Sequence, residues 1–427
     1  GWPASVDLGA LQPGQVTVDG AAYDQPCKPT HGSQPSWVAD EVTTQVFSGS
    51  ATHIALVFHE NPHSSGTVTF EPPVLALALT GYQTYALMAD GTVRYWGADP
   101  FDFTTHATAT VLAGVTGATA IVARDSFGCA LLADTTVKCW GSSANFSLLA
   151  NGQVNGNVSV PPTSIAGLTG VTQIAAGEAH ICALLADQTT RCWGQNTYGQ
   201  LFDGTTKDAN SAPVQGTING IASVVQIATS DYATFALLQD GEVDAAGSLH
   251  GPYDHPGQSA SGPVSGVYGA QQIAGGYGHA CATIVDGTVT CWGANGNGQL
   301  GDGTMVTPST LWTGVNVAGL SDAVQVAAYG YSTCAITRSG QVKCWGLNDV
   351  GELGDGQVDR GHEAQITPNL PVVGISTARS IPSSGSTNFS ACALLADSTV
   401  RCWGDNTYYN LGDGTDVDRF SPVEPQF

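Results

Sequence analysis

Ten of the eleven cysteines stand in five pairs of identical spacing: Cys129 and Cys139, Cys182 and Cys192, Cys281 and Cys291, Cys334 and Cys344, Cys392 and Cys402. Each pair brackets one text, read as CALLADTTVKCWG from Cys129, CALLADQTTRCWG from Cys182, CATIVDGTVTCWG from Cys281, CAITRSGQVKCWG from Cys334 and CALLADSTVRCWG from Cys392. Two further copies lack cysteine, YALMADGTVRYWG from Tyr85 and FALLQDGEVDAAG from Phe235. A unit recurring about every fifty residues implies an architecture in which each copy packs only on its neighbours, a propeller or a solenoid.

Within a copy, an apolar arm meets Ala-Asp-Gly or a near equivalent and returns as a second arm of valine, threonine and aromatic residues. This is a hairpin with a short loop and glycine where positive φ is needed. The hairpin sets the two cysteines opposite each other, at a spacing close to what a disulfide requires. The exceptions lose both partners together, Tyr85 facing Tyr95 and Phe235 facing Ala245. Reduced core cysteines and a metal site are the alternatives, although the spacing lacks the close pairs of a zinc knuckle. Five intrablade disulfides imply an oxidising setting, so the chain is expected to be secreted, periplasmic or on the cell surface. Cys27 is left over.

Between hairpins come turn-rich stretches such as Ala294 to Thr304, then Pro-Val elements at Pro213-Val214, Pro263-Val264 and Pro422-Val423, and a short alternating strand into the next copy. Four strands per copy without helical periodicity give an all-β fold, and seven radially arranged sheets cover one another's faces, so a seven-bladed β-propeller is expected. Trp96, Trp140, Trp193, Trp292, Trp345 and Trp403 read as packing between blades. Ala246 replaces the tryptophan of copy four, leaving that interface either refilled by neighbours or thin.

The N-terminal stretch complicates the count. Residues 1–41 read as a separate segment and 42–427 as the propeller, with a degenerate hairpin at 42–70 that keeps eight blades as the alternative. No apolar run reaches the length of a bilayer span. Twelve Lys plus Arg against 35 Asp plus Glu give a formal charge of -23, which argues against nucleic acid and anionic membranes and leaves neutral or basic partners.

The units AAGEAHICALLADQTTRCWGQNTYGQLFDGT from Ala175 and AGGYGHACATIVDGTVTCWGANGNGQLGDGT from Ala274 resemble the repeat of the regulator of chromosome condensation (RCC1-like) family of seven-bladed propellers. The resemblance implies the scaffold and leaves the function open. Its exchange-factor members use basic surfaces in reducing compartments, and its photoreceptor members use clustered tryptophans flanked by arginines. Few cations and paired cysteines depart from both, so the secreted bacterial type, which binds an enzyme through loops and aromatic residues of one face, is the expected match. That type suggests Tyr198, Trp312, Tyr329, Tyr331, Phe389, Tyr408 and Tyr409 as a binding face.

Asp302, Asp355 and Asp413, in the Leu-Gly-Asp-Gly-Thr loops and their variant, read as caps of backbone N–H groups, with calcium the alternative and no other cofactor implied. His180 and His279 share one repeat position and read as a recurring blade contact. His59 and His63, and His250 with Asp254 and His255, are candidates for a metal site against the plainer reading of solvated loops. No G-x-S-x-G elbow is present, and carboxylates are too many to single out a hydrolytic pair.

These readings converge on a monomeric secreted or cell-surface scaffold that binds a protein or glycan. The most irregular stretch, 347–390, is the expected recognition loop. A propeller enzyme, a polysaccharide lyase or hydrolase acting in the channel or inserted loops, is the alternative.

Overall fold

In the computed structural model the chain forms seven four-stranded antiparallel sheets in sequence, at residues 74–111, 118–164, 171–216, 224–263, 270–316, 323–366 and 372–423, here blades 1 to 7. The structure describes residues 14–22, 37–46, 58–60, 72–99, 101, 104–124, 127–142, 159–216, 223–249, 260–349, 351–358, 363–366, 372–380 and 388–426. In blade 3 the strands run inner to outer as Val171–Ala176, His180–Leu185, Thr190–Gly194 and Ala209–Gly216. Each first strand packs against the first strand of the next blade, and that of blade 7 against that of blade 1, so the ring closes around a channel lined by first strands. The count is seven, not eight. A separate three-stranded antiparallel sheet, Gly14–Ala22, Trp37–Val46 and Phe58–Glu60, precedes them. Of the hairpin expected at 42–70, only 42–46 and 58–60 lie among the described residues, within the last two of these strands.

The hairpin register places Cys129 opposite Cys139, and the other four pairs likewise, with Cα atoms 4.0 to 4.1 Å apart and all five pairs bridged. In the cysteine-free blades the register is the same, Tyr85 opposite Tyr95 and Phe235 opposite Ala245. There the vacated position packs on the next blade's tryptophan. Tyr85 meets Trp140 at 5.5 Å and Phe235 meets Trp292 at 5.6 Å, both edge to face. An aromatic contact of this kind adds about 0.5 to 1.5 kcal/mol beyond area burial, which offsets part of what the missing covalent link would supply.

All six repeat tryptophans are buried. Trp345 Nε1 donates to Gln299 O at 3.0 Å, Trp403 Nε1 to Glu352 O at 2.7 Å, and Trp96 Nε1 to Asn410 O at 2.9 Å. Each bond runs from one blade's third strand to the preceding blade's loop between strands three and four. The last ties blade 1 to blade 7, where Thr84 Oγ1 also donates to Asn410 O at 2.7 Å. The ring is therefore sealed by side chains while each blade uses only consecutive strands.

A second link was not anticipated from sequence. Gln173 Nε2 donates to Ile227 O at 3.1 Å while its Oε1 accepts the Ile227 N–H at 2.9 Å. Gln226 does the same to Ile273, and Gln272 to Val326. Each amide thus completes the inner strand of the following blade across the channel wall, as an adjacent strand would.

Candidate functional site

In a four-stranded antiparallel blade the turn joining strands one and two emerges at the same end as the loop joining strands three and four. Seven blades thereby gather these segments on one face. The three-four loops of blades 3, 5, 6 and 7 are built around an asparagine. Asn196 Nδ2 donates to Asp203 Oδ1 at 2.9 Å while its Oδ1 accepts the Leu201 N–H at 2.9 Å. Asn295 and Asn406 repeat this with Asp302 and Asp413, both at 3.0 Å. Asp302, Asp355 and Asp413 accept the N–H groups of Thr304, Gln357 and Thr415 at 2.9, 3.0 and 3.0 Å. Burial opposes ionisation of Asp413, but bonds from Thr415, Arg419 and Asn406 outweigh it and hold the carboxyl below its usual range.

Tyrosines gather on this rigid face in three edge-on pairs, each joining two neighbouring blades. Tyr408 of blade 7 meets Tyr82 of blade 1 at 5.0 Å, Tyr198 of blade 3 meets Tyr232 of blade 4 at 5.7 Å, and Tyr277 of blade 5 meets Tyr331 of blade 6 at 5.0 Å. All six rings are half-buried. Burial and a hydrogen bond to Glu178 push the Tyr232 hydroxyl far above its ordinary range, so it stays a donor.

Beneath this face the channel holds a cavity of about 280 Å³ lined by Leu77, Ile121, Arg124, Gln272, Val326 and Ile375 among others. Arg124 ends the first strand of blade 2 and reaches past blade 3 to a buried ion pair with Asp231 of blade 4. A charge pair this enclosed persists only because each ion neutralises the other. Two neutral histidines flank it. Burial, with Arg124 contributing, lowers His180 to about 3, and burial lowers His279 to about 4. Their Nε2 atoms lie 2.8 Å from Thr234 and Thr333 Oγ1 of the next blades, so they are the blade contacts that their shared repeat position suggested.

Of the residues expected on a binding face, Tyr198, Tyr331 and Tyr408 stand in pairs on the face of the one-two turns and three-four loops, and Tyr409 sits beside Tyr408, half-buried with φ of 63°. Trp312 instead packs between blades, partly buried against Phe235 at 6.3 Å. Tyr329 and Phe389 lie in the strands Ala323–Tyr329 and Asn388–Leu395, and their side chains fall outside the described residues. The stretch 347–390 is not one loop, because Glu363–Ile366 is the outer strand of blade 6 and Val372–Ser380 the inner strand of blade 7. His63, His250, Asp254 and His255 lie outside the described residues, and His59 is described only as part of a strand. Among the described residues no group of three or more His, Cys, Asp or Glu is placed to hold a metal ion. Tyr82, Tyr232 and Tyr277 were missed by sequence reasoning. Their signal is a tyrosine three or four residues ahead of the first cysteine position, which recurs in the first, fourth, fifth and sixth copies and is missing from the other three.

The model of the regulator of chromosome condensation (RCC1) repeat matches residues 171–200, 270–299 and 323–352, the inner three strands and loop start of blades 3, 5 and 6. The chain is 27% identical over 314 residues to the ultraviolet-B receptor UVR8 of Arabidopsis thaliana, covering 60% of this chain and 69% of that one. It is 27% identical over 271 residues to the probable E3 ubiquitin-protein ligase HERC6 of Homo sapiens, spanning 61% of this chain but only 26% of that one. Among solved structures, Prp20p of Saccharomyces cerevisiae superposes with a TM-score of 0.61 at 18% identity, over 74% of this chain and 81% of that one. These likenesses agree on an RCC1-like repeat propeller. The relatives named are eukaryotic, so they lend no support to the expected bacterial kinship.

Proposed function

We propose that this propeller is a binding scaffold of an oxidising, extracellular setting that docks a protein partner on the face bearing the one-two turns and three-four loops. The observation that carries the reading is the set of three half-exposed tyrosine pairs held by hydrogen-bonded loops. Tyrosine supplies large contact area at low entropic cost and is enriched among the residues that dominate binding energy. The five disulfides support the compartment, since such bonds persist where thiols are oxidised.

The test is capture of partners from the extracellular proteins of the source. The parent chain is compared with Tyr82→Ala, Tyr232→Ala and Tyr277→Ala variants and with an Asp134→Asn variant on the opposite face. Loss of a captured protein with the tyrosine variants alone supports the reading. Equal capture by all of them sinks it, and retention of glycans instead of protein on an immobilised array moves the partner to the glycan class. The scaffold is proposed to act as a monomer, which light scattering checks directly.

A further inference from the structure

Four of the face tyrosines form an arc over consecutive blades. Tyr198 meets Tyr232 edge to face at 5.7 Å, the Tyr232 hydroxyl is within electrostatic reach of Tyr277, and Tyr277 meets Tyr331 at 5.0 Å. The Tyr277 N–H donates to Gly330 O at 2.7 Å and locks the last two turns together. The rings therefore have set orientations while each keeps part of its surface open to solvent.

Carboxylates share the turns and loops of the blades that carry the arc. Glu178 takes the Tyr232 hydroxyl, and Asp203, Asp208, Asp302 and Asp355 stand in the three-four loops of blades 3, 5 and 6. Among the described residues of these turns and loops Lys207 is an exposed cation, while Arg124 is buried against Asp231. Aromatic faces carry negative potential, and inside a field of carboxylates that attraction for a cation is reinforced. A guanidinium suits such a site better than an ammonium, because its plane stacks on a ring and it sheds water more readily. An acidic segment would be repelled, and a neutral glycan would gain stacking without the charge term.

From this arrangement, and resting on the face reading above, we infer that the arc of Tyr198, Tyr232, Tyr277 and Tyr331 receives an arginine-bearing basic segment of the partner protein. The chain's formal charge of -23 would steer such a segment toward it at low ionic strength.

The probe is a labelled Arg-Gly-Ser repeat peptide followed by fluorescence anisotropy, with its lysine and glutamate counterparts as comparisons. The arginine peptide binds most tightly and the glutamate peptide not at all. Tyr277→Ala and Tyr331→Ala each weaken it about tenfold. Glu178→Gln keeps an acceptor for Tyr232 while removing one charge, and weakens binding several-fold. An Asp187→Asn/Asp286→Asn variant in the hairpin turns of the opposite face changes nothing. Near-UV circular dichroism confirms each fold, and Tyr331→Leu, which keeps bulk without the ring, stands in if the alanine variant unfolds. Equal loss from the opposite-face variant, or no loss from the tyrosine variants, overturns the inference. If the peptide ignores the arc while tyrosine variants still lose the captured partner, the basic segment falls and the face reading stands. If capture also persists, both fall.

Discussion

Phe202 and Ala246 are buried in one core cluster, and each departs from its repeat where the other does. Ala246 stands where six blades carry tryptophan. Phe202 stands in the preceding blade's loop, where blades 5 and 7 carry Gly301 and Gly412. A Cβ on Gly301 would come within 2.7 Å of Trp345, and one on Gly412 within 2.8 Å of Trp96. The loop can thus hold a side chain only where the following blade has no indole, and Phe202 refills the space at the cost of a φ of 60°.

A double-mutant cycle follows from that exchange. Phe202→Gly alone should cost about 3 kcal/mol through the cavity it leaves, less what the relieved backbone returns. Ala246→Trp alone should cost about 1 to 3 kcal/mol by overpacking against Phe202. Together they recreate the pairing of the other blades, and the double variant should be more stable than either single one. Urea denaturation measures this. Additive losses would show that the two positions do not share a space.

His180 and His279 give the fold an acid-sensitive limb. Their folded values of about 3 and 4 lie below the ordinary value of 6.5, so the unfolded chain binds more protons between those limits. Their contribution is complete above about pH 7 and is lost as pH falls from 6.5 toward those folded values, by a few kcal/mol in total. Denaturation midpoints at pH 7 and pH 5 should differ accordingly in the parent chain. They should converge in a His180→Gln/His279→Gln variant, whose amides can still meet Thr234 and Thr333. An unchanged difference would place the acid limb elsewhere.

The hairpin turns contain a smaller test. Gln188 and Ser398 both hold φ of 67° at the position where Gly91, Gly241 and Gly287 stand in other copies. A left-handed conformation costs a non-glycine residue about 1 to 2 kcal/mol, and glycine returns part of that as unfolded-state entropy. Gln188→Gly and Ser398→Gly should each raise stability by about 0.5 to 1 kcal/mol, visible as a higher melting temperature. A fall would mean that entropy outweighs strain at these turns.

Local pattern made the blades legible: Cys129 and Cys139 face each other because a hairpin of that length leaves no other register. The tryptophan seams and the capping role of Asp302 were equally local. The site was only half legible. Tyr198, Tyr331 and Tyr408 could be named, but their partners Tyr232, Tyr277 and Tyr82 meet them only once adjacent blades pack. The pairing of Arg124 with Asp231, 107 residues apart, depends on closure of the ring, which no single repeat encodes.

The glutamine bridges are the other product of closure, and they carry the sharpest energetic expectation. Gln226 Oε1 accepts the Ile273 N–H at 2.9 Å and its Nε2 donates to Ile273 O at 3.2 Å, where Gln272 Nε2 also donates at 3.2 Å, so the N–H is the group that leans on this one side chain. Gln226→Leu keeps similar bulk but leaves the Ile273 N–H without its acceptor and the Ile273 carbonyl with the Gln272 amide as its remaining side-chain donor. Each unmet buried group costs about 1 to 3 kcal/mol, tempered here by water entering the channel. A loss of about 2 kcal/mol is therefore expected, with faster amide exchange at Ile273. Gln226→Glu should fall between parent and leucine variant, since a carboxylate still accepts the Ile273 N–H but opposes the carbonyl. If Gln226→Leu leaves exchange at Ile273 unchanged, the amide is an ornament of the channel wall rather than a tie between blades.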